Sequence, residues 1–264
     1  MPDVTRLAFF GGVYSNSRAL VSAAADARAW GADATYALGD FGAFGPHPDR
    51  VFPVLIEEGI QAIQGNYEEA LSEGAEDCRC GYTDPRDNHF AAISYRYTAE
   101  KTSPEWKRWM RTLPKTRRLE VGGRSVLLVH GSPRRINEFL WESTSPVAFL
   151  EKLLADAGAD VLVCTHTGLP WCRRLPSGRL AVNCGALGRP ANDGRTEVWY
   201  ARLSFGRRNG VGVEIVPVAY DHAAMAREMR DERLPEEFVE TILTGWWTTC
   251  LEILPAKERA RGRY

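Results

Sequence analysis

Three short apolar runs at the start of the chain alternate with segments of helical spacing, and this alternation restricts the fold more than any other feature. The runs cover residues 7–10, 34–38 and 60–64, and each has a length suited to a buried strand. Between them, residues 16–30 and 49–58 place apolar side chains at helical spacing. The order strand, helix, strand, helix, strand predicts a parallel sheet buried between helices.

The rest of the chain adds elements of both kinds around one irregular segment. We expect a loop insertion over about 72–88, which is rich in glycine, aspartate and cysteine. The sequence also predicts a helix break near Ser103, a hairpin turn at Gly122-Gly123 and a turn over 207–210. The further predicted helices are 89–112, 146–157, 221–230 and 235–243. The further predicted strands are 118–121, 125–129, 161–164, 180–183, 197–203 and 211–218.

The change from strands to terminal helices suggests how the chain is organised. We expect one domain over residues 1–220, followed by a C-terminal helical extension over 221–264 that packs on it. The last residues, Lys257 to Tyr264, form a basic tail that is expected to be frayed.

Charge and cysteine content exclude several functional classes. Lysine plus arginine (33) and aspartate plus glutamate (34) leave a formal net charge of -1, which argues against binding nucleic acid by bulk charge. No apolar run approaches the ~20 residues that cross a bilayer, and the first residues lack the pattern of a secretory signal. The six cysteines therefore indicate reduced thiols in a cytoplasmic protein. Assembly into a homo-oligomer is left open.

Polar side chains follow four of the predicted strands. Asp40, Asn66, His130 and His166 each come just after a strand, where loops from neighbouring strands converge in an open α/β sheet. Taken singly, each residue has a plainer explanation as a turn residue or a satisfied hydrogen bonder. Together, this oxygen and nitrogen set predicts a site for a divalent transition metal such as Mn, Fe, Zn or Co, and it would hold Ca poorly.

The order and spacing of these residues resemble the calcineurin-like metallophosphoesterases. The resemblance runs from about Leu7 to Leu203 and implies an α/β fold, the two-sheet αββα sandwich of that family. The segments that carry it are Gly39-Asp40-x4-Gly45, Gly65-Asn66, Val129-His130-Gly131, His166-Thr167-x-x-Pro170, Val182-Asn183-Cys184-Gly185 and Gly188-Arg189-Pro190.

Three departures from the family pattern all fall on one of its two metals. The family begins with Asp-x-His-Gly-Asn and ends with His-x-His, but this chain has Gly12, Tyr14 and Gly168 at the ligand positions. In the family, the aspartate and histidines at those positions hold one metal together with the shared aspartate. The ligands of the other metal, Asp40, Asn66, His130 and His166, are all present here. The resemblance therefore implies one retained ion per chain, or a second site rebuilt with other ligands.

Two places in the sequence offer ligands for a rebuilt second site. Tyr14 stands where the family has histidine, so a tyrosinate could ligate a ferric ion, or the ring could fill the vacated space. Cys78, Cys80 and His89 could supply thiolate and imidazole ligands. Their spacing lacks the pairing of a zinc knuckle, so a flexible or lid-like loop is the alternative.

The resemblance also suggests which residues carry catalysis. Asp40, Asn66 and His130 would be catalytic as well as metal-binding, and Asn16 of the altered first motif would contact substrate.

Residues beside the predicted ligands supply further candidates. Arg134 and Arg135 follow His130, and arginine forms paired hydrogen bonds to phosphate, which suggests a substrate clamp. A solvated charge pair on a loop is the alternative. Tyr67 and Glu68 follow Asn66 and are candidates for assisting the leaving group.

Three functions are consistent with this pattern. The first is a hydrolase of small phosphomonoesters or phosphodiesters that uses a metal-activated water, and it is the favoured one. The second is a metal-binding regulatory or binding protein that kept the fold without phosphatase turnover. The third is an enzyme of other small-molecule chemistry with Tyr14 or the Cys78–Cys80 loop in its site, since a fold does not determine a reaction.

Overall fold

Two five-stranded sheets lie face to face in the computed structural model, which describes residues 4–206 and 210–261. The strands are β1 (Val4–Phe10), β2 (Ala34–Ala37), β3 (Gln61–Ala62), β4 (Thr116–Val121), β5 (Arg124–Val129), β6 (Val161–Cys164), β7 (Trp171–Arg174), β8 (Leu180–Asn183), β9 (Val198–Gly206) and β10 (Gly210–Val218). The order in the first sheet is β10-β9-β1-β2-β3 and in the second β4-β5-β6-β8-β7. Each sheet contains three neighbouring parallel strands, β1-β2-β3 at one side of the first sheet and β5-β6-β8 in the middle of the second.

Helices cover the outer faces of both sheets. They are α1 (Ser17–Trp30), α2 (Val51–Glu57), α3 (Asn66–Glu73), α4 (Pro85–Lys101), α5 (Pro104–Thr112), α6 (Val147–Asp156), α7 (His222–Asp231), α8 (Glu236–Thr244) and α9 (Ala256–Ala260), with a 3-10 helix at Pro48–Arg50. Within residues 4–206 and 210–261, no helix combines the length and the apolar character needed to cross a membrane.

Alternation along β1 explains the layers. Leu7 and Phe9 point towards the second sheet and belong to the core between the two sheets. Ala8 and Phe10 point the other way and belong to the core beneath α1. On the far side, α6 packs its leucines against the outer face of the second sheet. The layers are thus helices, sheet, sheet, helices, and the predicted αββα sandwich is confirmed.

The carboxyl ends of the parallel strands meet at one edge of the sandwich. The amide of Val13, after β1, donates to the carbonyl of Asp40, after β2, at 2.8 Å. The amide of Leu187, after β8 of the second sheet, donates to the carbonyl of Gly12 at 2.9 Å, which joins the two sheets at this edge. The loops that carry the predicted site therefore converge, as expected for an open α/β sheet.

The expected loop over 72–88 is shorter in the structure. Helix α3 begins at Asn66 and continues to Glu73, with the side chain of Glu68 accepting the amide of Gly65 in a capping interaction. Helix α4 begins at Pro85, and Asp84 caps it by accepting the amides of the first turn. The predicted break near Ser103 is confirmed, because α4 ends at Lys101 and α5 begins at Pro104.

Two further expectations concern the second half of the chain. Strand β7 was not predicted; it pairs antiparallel with β8 at the edge of the second sheet. The predicted turn at Arg207-Arg208-Asn209-Gly210 falls largely on residues 207–209, which lie outside the described residues.

The C-terminal segment packs on the helices of the first sheet. Phe238 of α8 lies 4.7 Å from Phe44 and 5.8 Å from Phe90, measured between ring centroids. The expectation of a frayed tail from Lys257 is wrong as far as residue 260, because α9 covers this stretch. Its buried Glu258 accepts the amide of Ser143 at 2.8 Å, which anchors the helix. Residues 262–264 lie outside the described residues.

Close approach of two loops at Gly39 gives a testable prediction. Gly39 has φ +88°, and a Cβ there would lie 2.1 Å from the amide nitrogen of Gly65. We expect Gly39→Ala to lower the free energy of unfolding by about 3 kcal/mol or more, because two backbones must separate. Gly59→Ala is the matched control: it has φ +63° with nothing within 4 Å, so only the left-handed conformation should cost about 1 kcal/mol. Urea unfolding of both variants measures this; equal losses would contradict the close-approach argument.

Candidate metal centre

Asp40, His130 and His166 bring their ligand atoms together at the edge where the strands end. One atom from each, all buried, lies within 4.8 Å of the others. The Nε2 atom of His130 lies 3.2 Å from Oδ2 of Asp40 and 3.1 Å from Nδ1 of His166. One carboxylate and two imidazoles in this arrangement are a donor set for a divalent transition metal.

Hydrogen bonds on the far side of each imidazole orient the rings. Nδ1 of His130 lies 2.6 Å from the carbonyl of Leu38, and Nε2 of His166 lies 3.2 Å from the carbonyl of Cys80. A carbonyl only accepts hydrogen bonds, so the ring nitrogen facing it carries the proton. The opposite nitrogen of each ring is then free to bind a metal.

Asn66, the fourth ligand predicted from the sequence, offers an amide oxygen. Its amide nitrogen donates to the carbonyl of Cys78 at 2.8 Å. Its oxygen, Oδ1, is buried without a hydrogen-bond partner. A buried acceptor without a partner is unfavourable unless something binds it, so this oxygen fits a fourth ligand. The four residues predicted as metal ligands from the sequence therefore fit a bound ion.

Backbone conformation marks the same place. Asp40 has φ +56° and His166 has φ +67°, which are unusual for residues other than glycine. Gly65 lets the loops approach, because a Cβ there would lie 2.4 Å from Oδ1 of Asp40 and 2.9 Å from Cε1 of His130. Unfavourable backbone conformations of this kind cluster at functional sites.

The charges of the three side chains depend on one another. Burial raises the pKa of Asp40, but the charge of His130 and its hydrogen bond outweigh it, so the pKa lies below the ordinary value. The same pairing holds the pKa of His130 above its ordinary value despite burial. Burial and the neighbouring His130 lower the pKa of His166 to about 3. His166 is therefore neutral at pH 7, as a metal ligand must be.

Glu68 holds backbone loops together, and these contacts favour a structural role over protonation of a leaving group. It is completely buried, and its carboxylate accepts the amides of Asp40 at 2.7 Å, Phe41 at 2.9 Å and Gly65 at 2.8 Å. Burial and then the Asp40 carboxylate raise its pKa to about 7. Tyr67, the other candidate, donates its amide to Oδ1 of Asp40 at 3.1 Å.

Aromatic rings cover the positions where the family's second metal has its ligands. A Cβ on Gly12 would lie 2.4 Å from the ring of Tyr14, so that ring takes the place of a side chain at position 12. A Cβ on Gly168 would lie 3.3 Å from the ring of Trp247. Burial, and then the Asp40 carboxylate, raise the pKa of Tyr14. These contacts favour Tyr14 as a filler of vacated space over Tyr14 as a tyrosinate ligand.

The expectation of six reduced thiols is wrong for Cys78 and Cys80, which form a disulfide with each other. They therefore offer no thiolates to a second metal, and His89 is exposed on α4 beside Phe90. Instead, the loop supports the predicted site, since the carbonyls of Cys78 and Cys80 hold Asn66 and His166.

The predicted substrate-binding residues lie elsewhere. The side chain of Asn16 is buried, where its oxygen caps α1 and its nitrogen donates to the carbonyl of Leu187 at 3.3 Å. The side chain of Arg134 is 53% exposed and that of Arg135 71%, and both pair with Glu138. Neither arginine lines the cavities at the site, so the expected clamp is corrected.

A different arginine faces the site. A cavity lies against Asp40 and His166, and Arg189 lines it together with Tyr14 and Cys250. The sequence offered one signal for it, the Gly188-Arg189-Pro190 segment. Trp247 and Thr249, which bury Arg189, lie about 60 positions further along the chain. No local sequence pattern connects them to Arg189.

The fold is an αββα sandwich whose candidate metal ligands lie at the strand ends. Residues 6–205 match the calcineurin-like phosphoesterase superfamily domain, and the chain belongs to this family of metal-dependent phosphoesterases.

Proteins of similar length resemble this chain in sequence or in fold. An uncharacterised protein of Methanocaldococcus jannaschii is 21% identical over 253 residues, which cover 90% of this chain and 98% of that protein. The crystal structure of a hypothetical protein from Pyrococcus horikoshii OT3 has a TM-score of 0.76 at 20% identity, covering 92% of this chain and 100% of that one. A metallophosphoesterase from Sphaerobacter thermophilus has a TM-score of 0.67 at 23% identity, covering 91% and 99%. Both structures share the fold of this chain.

The disulfide loop gives a second prediction. Replacing both cysteines, Cys78→Ser with Cys80→Ser, frees the two carbonyls that hold Asn66 and His166. We expect metal affinity to fall about 10- to 100-fold, the usual effect of losing groups that orient ligands. Competition with a chromophoric chelator measures it. Cys172→Ser, at an exposed free cysteine, should keep the wild-type affinity; wild-type affinity in the double variant would show that the loop does not orient the ligands.

Proposed function

We propose that the protein hydrolyses small phosphate esters at a single divalent transition metal held by Asp40, Asn66, His130 and His166. The observation that supports this most is the convergence of ligand atoms from Asp40, His130 and His166. The buried Oδ1 of Asn66, which lacks a hydrogen-bond partner, offers a fourth donor. Mn, Fe, Zn and Co all suit this oxygen and nitrogen set. The proposal covers phosphomonoesters and phosphodiesters, with one ion per chain.

The residues of the site would prepare it for this chemistry before substrate arrives. A bound divalent ion supplies Lewis acidity, which polarises a phosphoryl oxygen and lowers the pKa of water. Leu38 and Cys80 fix the protons of His130 and His166 on the nitrogens that face away from the site. Because Asp40, His130 and His166 are all buried, their electrostatic interactions with a phosphate are weakly screened.

The cavity beside the ligands has a partly aromatic wall. Phe44, Phe90 and Phe238 form part of its wall, so the group attached to the phosphate would meet an aromatic surface.

Removing one ligand tests the proposal. We expect His130→Ala to lose both the bound metal and turnover, because a mononuclear site has no second ion to compensate. Metal content is measured by elemental analysis after loading with Mn, Fe, Zn or Co, and turnover with aryl phosphomonoesters and phosphodiesters. His89→Ala is the matched control, since His89 is exposed on α4 and outside the ligand cluster; it should keep both properties.

The two readouts separate the possible outcomes. Wild-type protein that binds one ion but hydrolyses esters no faster than His130→Ala would contradict the hydrolase and support a metal-binding regulatory protein. Two ions per wild-type chain would contradict the single-metal proposal. Metal retained in His130→Ala would contradict the assigned ligand set.

A further inference from the structure

Arg189 is a buried cation beside the metal centre. Its residue is only 7% exposed, and its guanidinium lies 3.5 Å above the ring of Trp247. One nitrogen, Nη2, donates to the carbonyl of Thr249 at 2.7 Å. Nε is buried and has no hydrogen-bond partner.

No carboxylate neutralises this charge within the described parts of the chain. The ion pairs found over residues 4–206 and 210–261 do not include Arg189. A guanidinium that is buried, unpaired and short of hydrogen-bond acceptors is strongly unfavourable. The rings of Trp247 and Phe44 and the carbonyl of Thr249 stabilise the cation in part. An anion in the cavity that Arg189 lines would supply the charged acceptor that is still missing.

Arg189 lies beside the rings that stand at the positions of the second metal's ligands. Tyr14 covers Gly12 and Trp247 covers Gly168, at the positions where the family has ligands. Arg189 stacks on Trp247 and lines the same cavity as Tyr14 and Asp40. The chain thus has a fixed positive charge on the side of Asp40 from which the second metal's ligands are missing.

We propose that Arg189 binds the phosphoryl group of the substrate, with a guanidinium taking over the charge-neutralising task of the second metal. Guanidinium is planar, permanently charged and suited to bind two phosphate oxygens at once. The phosphoryl group would lie between Arg189 and the ion held by Asp40 and its partners. This inference rests on the proposed function for the identity of the anion, but it concerns binding rather than turnover.

Trp247 does not need Arg189 to hold it in place. Its indole donates to the carbonyl of Pro190 at 2.6 Å, and its amide donates to Oδ1 of Asn192 at 2.8 Å. Replacing Arg189 should therefore leave Trp247 in its position in the cavity wall. The effect of the lost charge on phosphate binding can then be measured by itself.

The test measures binding of inorganic phosphate by calorimetry, with metal-loaded and with metal-free protein. Arg189→Met keeps much of the side-chain length and removes the charge. We expect it to bind phosphate about 10- to 100-fold more weakly, the effect of losing hydrogen bonds to a charged group. Metal content should remain that of the wild type. With ester substrates, KM should rise more than kcat falls, because the contact exists before the transition state.

Arg173→Met is the matched control. Arg173 also lies over a tryptophan, 5.8 Å from the centroid of Trp171, and it donates to the carbonyls of Ser145 and Glu142. It lines neither cavity at the site. This variant should bind phosphate like the wild type, and a loss equal to that of Arg189→Met would overturn the proposal.

Further outcomes decide between the inference and the proposed function. Wild-type phosphate affinity in Arg189→Met overturns the inference even if the protein is a hydrolase. Phosphate binding that depends on Arg189, in a protein that hydrolyses no ester, supports the inference and removes the hydrolase. If Arg189→Met does not fold, Arg189→Lys decides instead: several-fold weaker phosphate binding with unchanged metal content supports the proposal, and unchanged affinity overturns it.

Discussion

The buried carboxylate of Glu68 ties together the two loops on which the rest of the site depends. By accepting the amides of Asp40, Phe41 and Gly65, it fixes the end of β2 against the end of β3 and the start of α3. Oδ1 of Asp40 then accepts the amide of Tyr67, and Oδ2 faces His130. The Glu68 carboxylate thus fixes the loop that carries the Asp40 carboxylate. It can do so because backbone amides near the start of a helix need acceptors.

The two sides of the site carry different side chains. On one side, the carboxylate of Asp40 and the imidazoles of His130 and His166 converge as they would around a divalent ion, and the buried amide oxygen of Asn66 lacks a hydrogen-bond partner. On the other side, aromatic rings fill the positions of absent ligands, and a guanidinium lies against one of them. Arginine is permanently charged, so the positive charge of Arg189 does not depend on a bound metal.

Local sequence patterns predicted the residues that follow the strands, but not the contacts between distant parts of the chain. The strand ends with Asp40, Asn66, His130 and His166 were visible because a short apolar run followed by glycine or a polar residue marks the edge of a sheet. The disulfide and the role of Arg189 were not visible, for a physical reason. Cys80 acts through its backbone carbonyl, which every residue has. Arg189 depends on burial by Trp247 and Thr249, which only the folded chain brings to it.

The position of the cavity wall in the chain has a consequence for biosynthesis. All four ligand residues precede residue 167, whereas Trp247, Thr249 and Cys250, which close over Arg189 and the cavity, are made much later. Because synthesis proceeds from the N-terminus and domains fold as units, the ligands leave the ribosome while the wall is still absent. The cavity beside the ligands can therefore be completed only after the C-terminal segment has been made and has packed on the rest of the fold.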